Sequence, residues 1–261
     1  AARSYGRAEQ FLGSWLQTRH MTPQTVTVGS KWGYTYTANW QIQADKHEIK
    51  DHSLVVLQRQ WLESQANLGA YLQLYQIHSA TLESGILHNL AVLRELARLK
   101  SNGVYIGLSL SGTGQAAVLQ RAVTIILDGS RLFDSVQATW NLLEPSAGAA
   151  LQEARTAGMG IIIKEALANG RLTERNNAPQ LARLQQQARR LNTTVDALAL
   201  AAVLAQPWVD MVLSGAVTIA QWQSNLQALQ VQWDEEAATE LATLAETSEL
   251  YWQTRQSLAW N

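Results

Sequence analysis

The sequence predicts an α/β fold in which βα units surround a parallel sheet. Two observations carry this reading. Short β-rich runs alternate with helical patterns along the whole 261-residue chain, as βα units require. The runs are also mostly apolar instead of strictly alternating, as strands are when both faces of a sheet are covered.

Strands are expected at 26–32, 70–78, 104–110, 134–141, 160–167 and 209–216, with Ile161-Ile162-Ile163 and Met211-Val212-Leu213 the clearest. Leu87, Leu90, Leu93, Leu96 and Leu99 form one helical stripe,. That helix stops at Asn102-Gly103, before Val104 opens the next strand,. Pro145-Ser146 opens a further helix, and Thr194 caps the one running from Val195 to Leu204,. Arg183, Arg189 and Arg190 read as a solvated helix face, whereas Trp15 and Trp61 sit on helix stripes and read as core. The tail from 234 onward is amphipathic through Leu241, Leu244 and Leu250, suited to packing across the end of the sheet or onto a partner subunit. No linker or repeat interrupts the pattern, so a single domain over 1–261 is expected.

Six strands fall short of the eight in a closed (β/α)8 barrel. A seventh would lie just before Tyr5, and an open doubly wound sheet is the rival architecture. The glycine fingerprint of that rival is not met, because Gly107, Gly112 and Gly114 are wrongly spaced for a pyrophosphate cradle and suit a turn into a helix,.

Bulk composition narrows the function. A hydrophobic fraction of 47% supports a sizeable core, and a net charge of -1 gives no general pull toward nucleic acid or an anionic membrane,. No apolar run reaches the ~18 residues of a membrane span. The absence of cysteine excludes disulfides and thiolate metal sites, and a cytoplasmic location is the simplest expectation. His20, His47, His52 and His88 show no ligand spacing, so no metal site is expected,.

Three strand-like segments carry matching polar residues: Tyr5 in Ser4-Tyr5-Gly6, Lys31 after 26–30, and His78 closing Leu72–Ile77. Alone, each has a bland reading as turn tyrosine, solvated lysine or core histidine. A tyrosine, a lysine and a histidine from separate βα units is how a parallel barrel assembles one site, and that trio suits carbonyl reduction.

Several segments, in order, resemble the aldo-keto reductase family. They are Ala2–Glu9 with Leu12-Gly13, Leu62-Glu63-Ser64 with Leu68-Gly69 and the run from Tyr71 to His78, Ile106–Ser109, Val136-Gln137 with Asn141–Leu143, and Leu213–Ala216 with Asn225-Leu226. The resemblance implies a (β/α)8 barrel over 1–229 with a C-terminal helical tail at 230–261. It implies an NADPH- or NADH-dependent oxidoreductase that interconverts a small-molecule aldehyde, ketone or sugar carbonyl with its alcohol. A non-catalytic cofactor-sensing subunit, as the family also contains, and a truncated inactive form are the alternatives. Tyr5 would donate the proton, Lys31 would ease its release, and His78 would orient the carbonyl. Ser109 and Gln137 match the positions that hold the nicotinamide amide. Leu167, Ser214, Gly215, Ala216, Thr218, Gln221 and Asn225 match further cofactor contacts, and Trp32, Tyr34 and Trp140 would wall the substrate pocket.

The sequence departs from the family pattern in places. The family's catalytic aspartate would fall one position ahead of Ala1, together with the first strand, so the barrel reads as N-terminally incomplete and the chain as a fragment of a longer enzyme. Leu110 replaces a common asparagine. Lys164 stands where a tyrosine often stacks on the nicotinamide; stacking there, meeting cofactor phosphates and pairing with Glu165 remain equal readings. Gly215 and Gln221 replace the lysine and arginine that grip a 2′-phosphate, which leaves NADPH and NADH both open.

Overall fold

The computed structural model describes residues 6–38, 45–176 and 179–258. In chain order the first elements are α1 (Gly6–Thr18), β1 (Val28–Trp32), β2 (Tyr34–Tyr36), β3 (Glu48–Lys50), α2 (Leu54–Leu68), β4 (Leu72–Ala80), α3 (Leu90–Ser101) and β5 (Tyr105–Leu110). Next come α4 (Gln115–Val123), β6 (Ile126–Leu127), β7 (Ser130–Arg131), β8 (Ser135–Thr139), α5 (Gly148–Thr156), β9 (Gly160–Lys164) and α6 (Ala182–Arg190). The chain closes with α7 (Val195–Leu204), β10 (Met211–Val212), α8 (Ile219–Leu226), α9 (Glu235–Ala242) and α10 (Ser248–Ser257). Strands form in all six expected places, although the last, expected over 209–216, is reduced to Met211–Val212. The chain divides into two compact units, Ala1–Leu110 with Arg121–Val136 and Ser111–Gln120 with Gln137–Ala259.

In the first unit β1, β4 and β5 are parallel neighbours, with Lys31 opposite Gln76 and Ile106 opposite Tyr75. Ser53 accepts from the Val56 N–H to start α2, and Asn89 does the same from Val92 for α3, which relieves donors a helix start leaves unpaired. Buried Val92, Leu93, Leu96 and Leu99 hold α3 to the sheet. Leu90, expected in that stripe, is instead exposed. A three-residue spacing drifts about 60° around the helix at each step, so five leucines spaced by three cannot share one face. Trp15 is likewise 43% exposed, because Gly13 and Leu16 carry the buried face of α1.

Gly13 explains how close α1 and α2 come. A Cβ built there would lie 2.1 Å from the Asn67 carbonyl oxygen, so only a hydrogen allows this approach. Gly107 does similar work inside β5, where a Cβ would meet Ser135 Oγ at 2.6 Å and Gln76 Cγ at 2.9 Å. An antiparallel hairpin of β2 and β3 follows β1.

In the second unit β8, β9 and β10 are neighbours, and β9 and β10 are parallel. Helix α7 is buried at almost every position, from Ala197 to Val203, as a helix apolar on all sides must be. It packs with Leu142, Leu184, Leu241, Tyr251 and Trp252 into one core. One tail expectation needs correcting: Leu241 and Leu244 are buried, but Tyr251 and Trp252 carry the burial of α10, while Leu250 is 50% exposed. The helix expected at Pro145 begins at Gly148. On α6, Arg190 is more than solvated surface, since it holds Asp234 through two nitrogens at 2.7 and 2.8 Å.

Candidate active site

Lys31 on β1 and His78 on β4 line one cavity of about 360 Å³ in the first unit, together with Ser30, Tyr34, Gln60 and Glu9. Parallel pairing explains the meeting, since it brings the C-terminal ends of β1 and β4 side by side. The Tyr34 ring stands edge-on to His78, with centroids 4.7 Å apart. Burial lowers the Lys31 pKa below the ordinary lysine value, because a low-dielectric wall disfavours the ammonium. In the cavity wall, the Glu9 carboxylate accepts from Ser30 Oγ, from Ser64 Oγ at 2.7 Å and from Asn67 Nδ2 at 3.3 Å. That network ties α1 to β1 and α2, and nothing in the sequence reading had singled it out.

Tyr5 lies outside the described residues. Trp32 is 1% exposed, edge-on to His52 at 5.5 Å, and its indole nitrogen has no hydrogen-bond partner among the described residues. It belongs to the packed layer, one residue out of phase with Lys31.

The pairing of β4 with β5 changes register at His78. Ile77 faces Leu108 and Ala80 faces Leu110, so His78 and Ser79 together oppose Ser109. This is a β-bulge, a device that re-aims a side chain near a site. Ser79 adopts a φ of 53°, which a non-glycine residue holds only when its surroundings enforce it. Ser109, buried in β5, accepts the Ser79 N–H on its Oγ at 2.9 Å. The His78 carbonyl meets His52 Nε2 at 2.9 Å. Burial lowers the His52 pKa, the bond to His78 opposes that shift, and the Lys50 charge adds to it.

The second unit holds the remaining candidates. Gln137 on β8 is buried, and Trp140 is buried with its ring 5.6 Å from that of Trp208. Lys164 at the end of β9 donates to Thr139 Oγ1 at 2.7 Å and lies 3.6 Å from the Glu165 carboxylate. Pairing with Glu165 is therefore formed, although Thr139 is the closer partner. Glu165, at φ 55°, also receives Arg255 of α10 at 2.7 and 3.1 Å. Burial pushes its pKa up, but the Arg255 bonds and the charges of Lys164 and Arg255 prevail and hold it below the usual range. Leu167 packs against the core of this unit.

Ser214, Gly215, Ala216 and Thr218 precede α8, and Gln221 and Asn225 lie on it. Asn225 Nδ2 donates to Ser214 Oγ at 2.8 Å, Gln221 Oε1 accepts the Val217 N–H at 2.9 Å, and Thr218 caps the helix. A Cβ at Gly215 would meet nothing within 4 Å, so this lip is open there, with Val217, Ile219 and Trp222 exposed beside its polar groups. Among the described residues no cluster of three histidine or acidic side chains suits a metal ion, and no helix is long and apolar enough to cross a membrane.

A holo-form aldo-keto reductase from Bacillus halodurans shares this fold, at a TM-score of 0.71 and 22% identity, over 93% of this chain and 79% of its own. A thermostable aldo-keto reductase in complex with the inhibitor epalrestat aligns at a TM-score of 0.66 and 20% identity, covering 91% of this chain and 77% of its own. At these identities the likeness carries the fold, which is the (β/α)8 barrel class that the sequence resemblance implied. No curated protein matches the sequence. The profile of the Aldo/keto reductase family, by contrast, spans residues 1–246. On that match the chain belongs to the aldo/keto reductase family.

Proposed function

We propose that the protein is an NAD(P)H-dependent oxidoreductase that interconverts a small-molecule carbonyl compound and its alcohol. Family membership supports the reaction class. The observation that carries the reading for this chain is the opening of Lys31 and His78, from neighbouring parallel strands, into one cavity.

In this reading Tyr5 gives its phenolic proton to the carbonyl oxygen. A phenol ordinarily titrates near about 10 and releases its proton poorly at neutral pH. A neighbouring ammonium favours the phenolate, and Lys31 is assigned that role. His78 orients the carbonyl and stabilises charge developing on oxygen, which counts most where water is excluded. The Tyr34 ring beside His78 suits a planar or apolar carbonyl compound,.

The nicotinamide cofactor, when bound, supplies or accepts hydride. The open lip before and along α8 is assigned to its adenosine end: Ser214 and Thr218 bring hydroxyls, Asn225 an amide, and Gly215 leaves room. Gln137 and Ser109 are assigned to the amide of the nicotinamide, with Ala216, Gln221 and Leu167 along the cofactor. No lysine or arginine stands at 215 or 221, so the chain lacks the charge-assisted grip that would select a 2′-phosphate, and NADH is as well suited as NADPH. Of the aromatic residues expected to wall the pocket, Tyr34 is assigned to the substrate because it lines the cavity with Lys31 and His78; Trp32, packed against His52, and Trp140, buried against Trp208, are given no substrate contact.

The test follows 4-nitrobenzaldehyde reduction by absorbance of NADPH or NADH. Tyr5→Phe should lower kcat by at least about 100-fold. Cofactor affinity, read from tryptophan quenching, should stay as in the parent. Equal turnover of the two proteins would remove Tyr5 from its role and the reading with it.

A further inference from the structure

We infer that His52 is a positioning residue for His78, acting through the backbone of the β4 bulge; this rests on the carbonyl-reduction reading of His78. A bulge takes backbone groups out of the strand ladder, and each must find another partner or destabilise the fold. Here two side chains take them. Ser109 Oγ accepts the Ser79 N–H, and His52 Nε2 lies 2.9 Å from the His78 carbonyl. A carbonyl oxygen can only accept, so the His52 proton sits on Nε2.

The His52 ring is itself held on two sides. A Cβ at Gly33 would fall 2.3 Å from His52 Cδ2 and 2.6 Å from Nε2, so the ring lies directly against the Gly33 backbone. Trp32 closes on it edge-on. Gly33 is fixed in turn by its N–H to Gln60 Oε1 at 2.8 Å and by its carbonyl, which accepts from Asp51 at 2.9 Å. The hairpin that follows β1 therefore reaches across to β4 and sets the backbone from which His78 projects into the cavity. Lys31 and Trp32 belong to β1, which runs directly into that hairpin, so one segment from β1 to His52 positions the lysine directly and the histidine through His52.

The experiment uses the full chain, 15N-labelled, with histidine ring nitrogens read by long-range proton–nitrogen correlation. His52→Phe keeps a ring and removes the donor, whereas His52→Gln restores an N–H donor. The Phe variant should shift the His78 ring signals and lower kcat for 4-nitrobenzaldehyde by about 10- to 100-fold, since small misplacements of a catalytic group cost that much. The Gln variant should return both toward the parent, with the cofactor KM steady throughout. Unmoved His78 signals in the Phe variant, or equal losses in Phe and Gln, would overturn the inference. If His52→Phe does not fold, His52→Asn, too short to reach the carbonyl, is read the same way. A His78 ring that responds to His52 in a protein without turnover supports the linkage and removes the carbonyl-reduction reading instead.

Discussion

Two strand ends in this protein solve the same backbone problem by different chemistry. In the first unit β4 places Ser79 at φ 53° directly after His78; in the second, Glu165 follows Lys164 at φ 55°. Neither residue is glycine, so both conformations cost about 1 kcal/mol or more and need enforcement. At Ser79 the enforcement comes from a hydroxyl and an imidazole on backbone groups. At Glu165 it comes largely from charge: Arg255 holds the carboxylate and Lys164 lies beside it, while Asn141 donates to the Glu165 carbonyl at 2.9 Å. A geometry held by neutral hydrogen bonds is insensitive to salt and nearly so to pH. One held by ion pairs is sensitive to both.

Arg255→Ala should expose that difference most strongly. It leaves Glu165, 12% exposed, with Lys164 as its remaining ion-pair partner, and should cost about 2 kcal/mol at pH 7 in chemical denaturation. The sign with pH follows from the depressed carboxylate. Its contribution is present above the unfolded value of about 4.3 and is lost as pH falls through the lower folded value. The gap between parent and variant should thus close in acid; a gap that holds steady there would show that Arg255 acts instead through the Trp252 ring, whose centroid lies 5.8 Å from its guanidinium carbon.

Ser109→Ala breaks the other strand end. It leaves the Ser79 N–H without its acceptor and should cost about 1–2 kcal/mol. Parent and variant curves should stay parallel between pH 4 and 8 on the ~pH axis where carboxylates and histidines titrate. Crossing curves would mean that this turn, too, is held by charge.

The smallest effect should come from Ser79→Gly. Glycine relieves the left-handed strain but loosens the unfolded chain, for a net gain of about 0.5 kcal/mol. Glu165→Gly relieves the same strain and should still destabilise, because it discards the Arg255 pair. Thermal melts showing the same sign for both would end the contrast.

The six expected strands were legible because each is a mostly apolar run bounded by turn residues, a pattern that local sequence records. The β2–β3 hairpin was not, since its strands are three residues each, too short for a period to register. The site was legible only as residue types. Lys31 and His78 stood out at strand ends, yet the bulge at His78 depends on register against β5. His52 drew notice only as a poor metal ligand, because its partner is a backbone carbonyl and spacing does not encode that. Arg255 and Glu165 are 90 residues apart. Leu90, Trp15 and Leu250 read as buried because apolar spacing marks a face, and the exact rotation of a helix is settled by what it meets.

Gly13 has a consequence at the level of the gene. Every single-base missense change in a glycine codon introduces a side chain, and here the first carbon of any side chain would land 2.1 Å from the Asn67 carbonyl. Overpacking of this kind costs about 1–3 kcal/mol or more. Drift at codon 13 is therefore penalised in every direction open to one mutation, whereas codon 114, with nothing within 4 Å of its Cβ position, is free to explore. Natural variation should be sparse at the first position and broad at the second, with the α1–α2 spacing inherited through a residue that has no side chain.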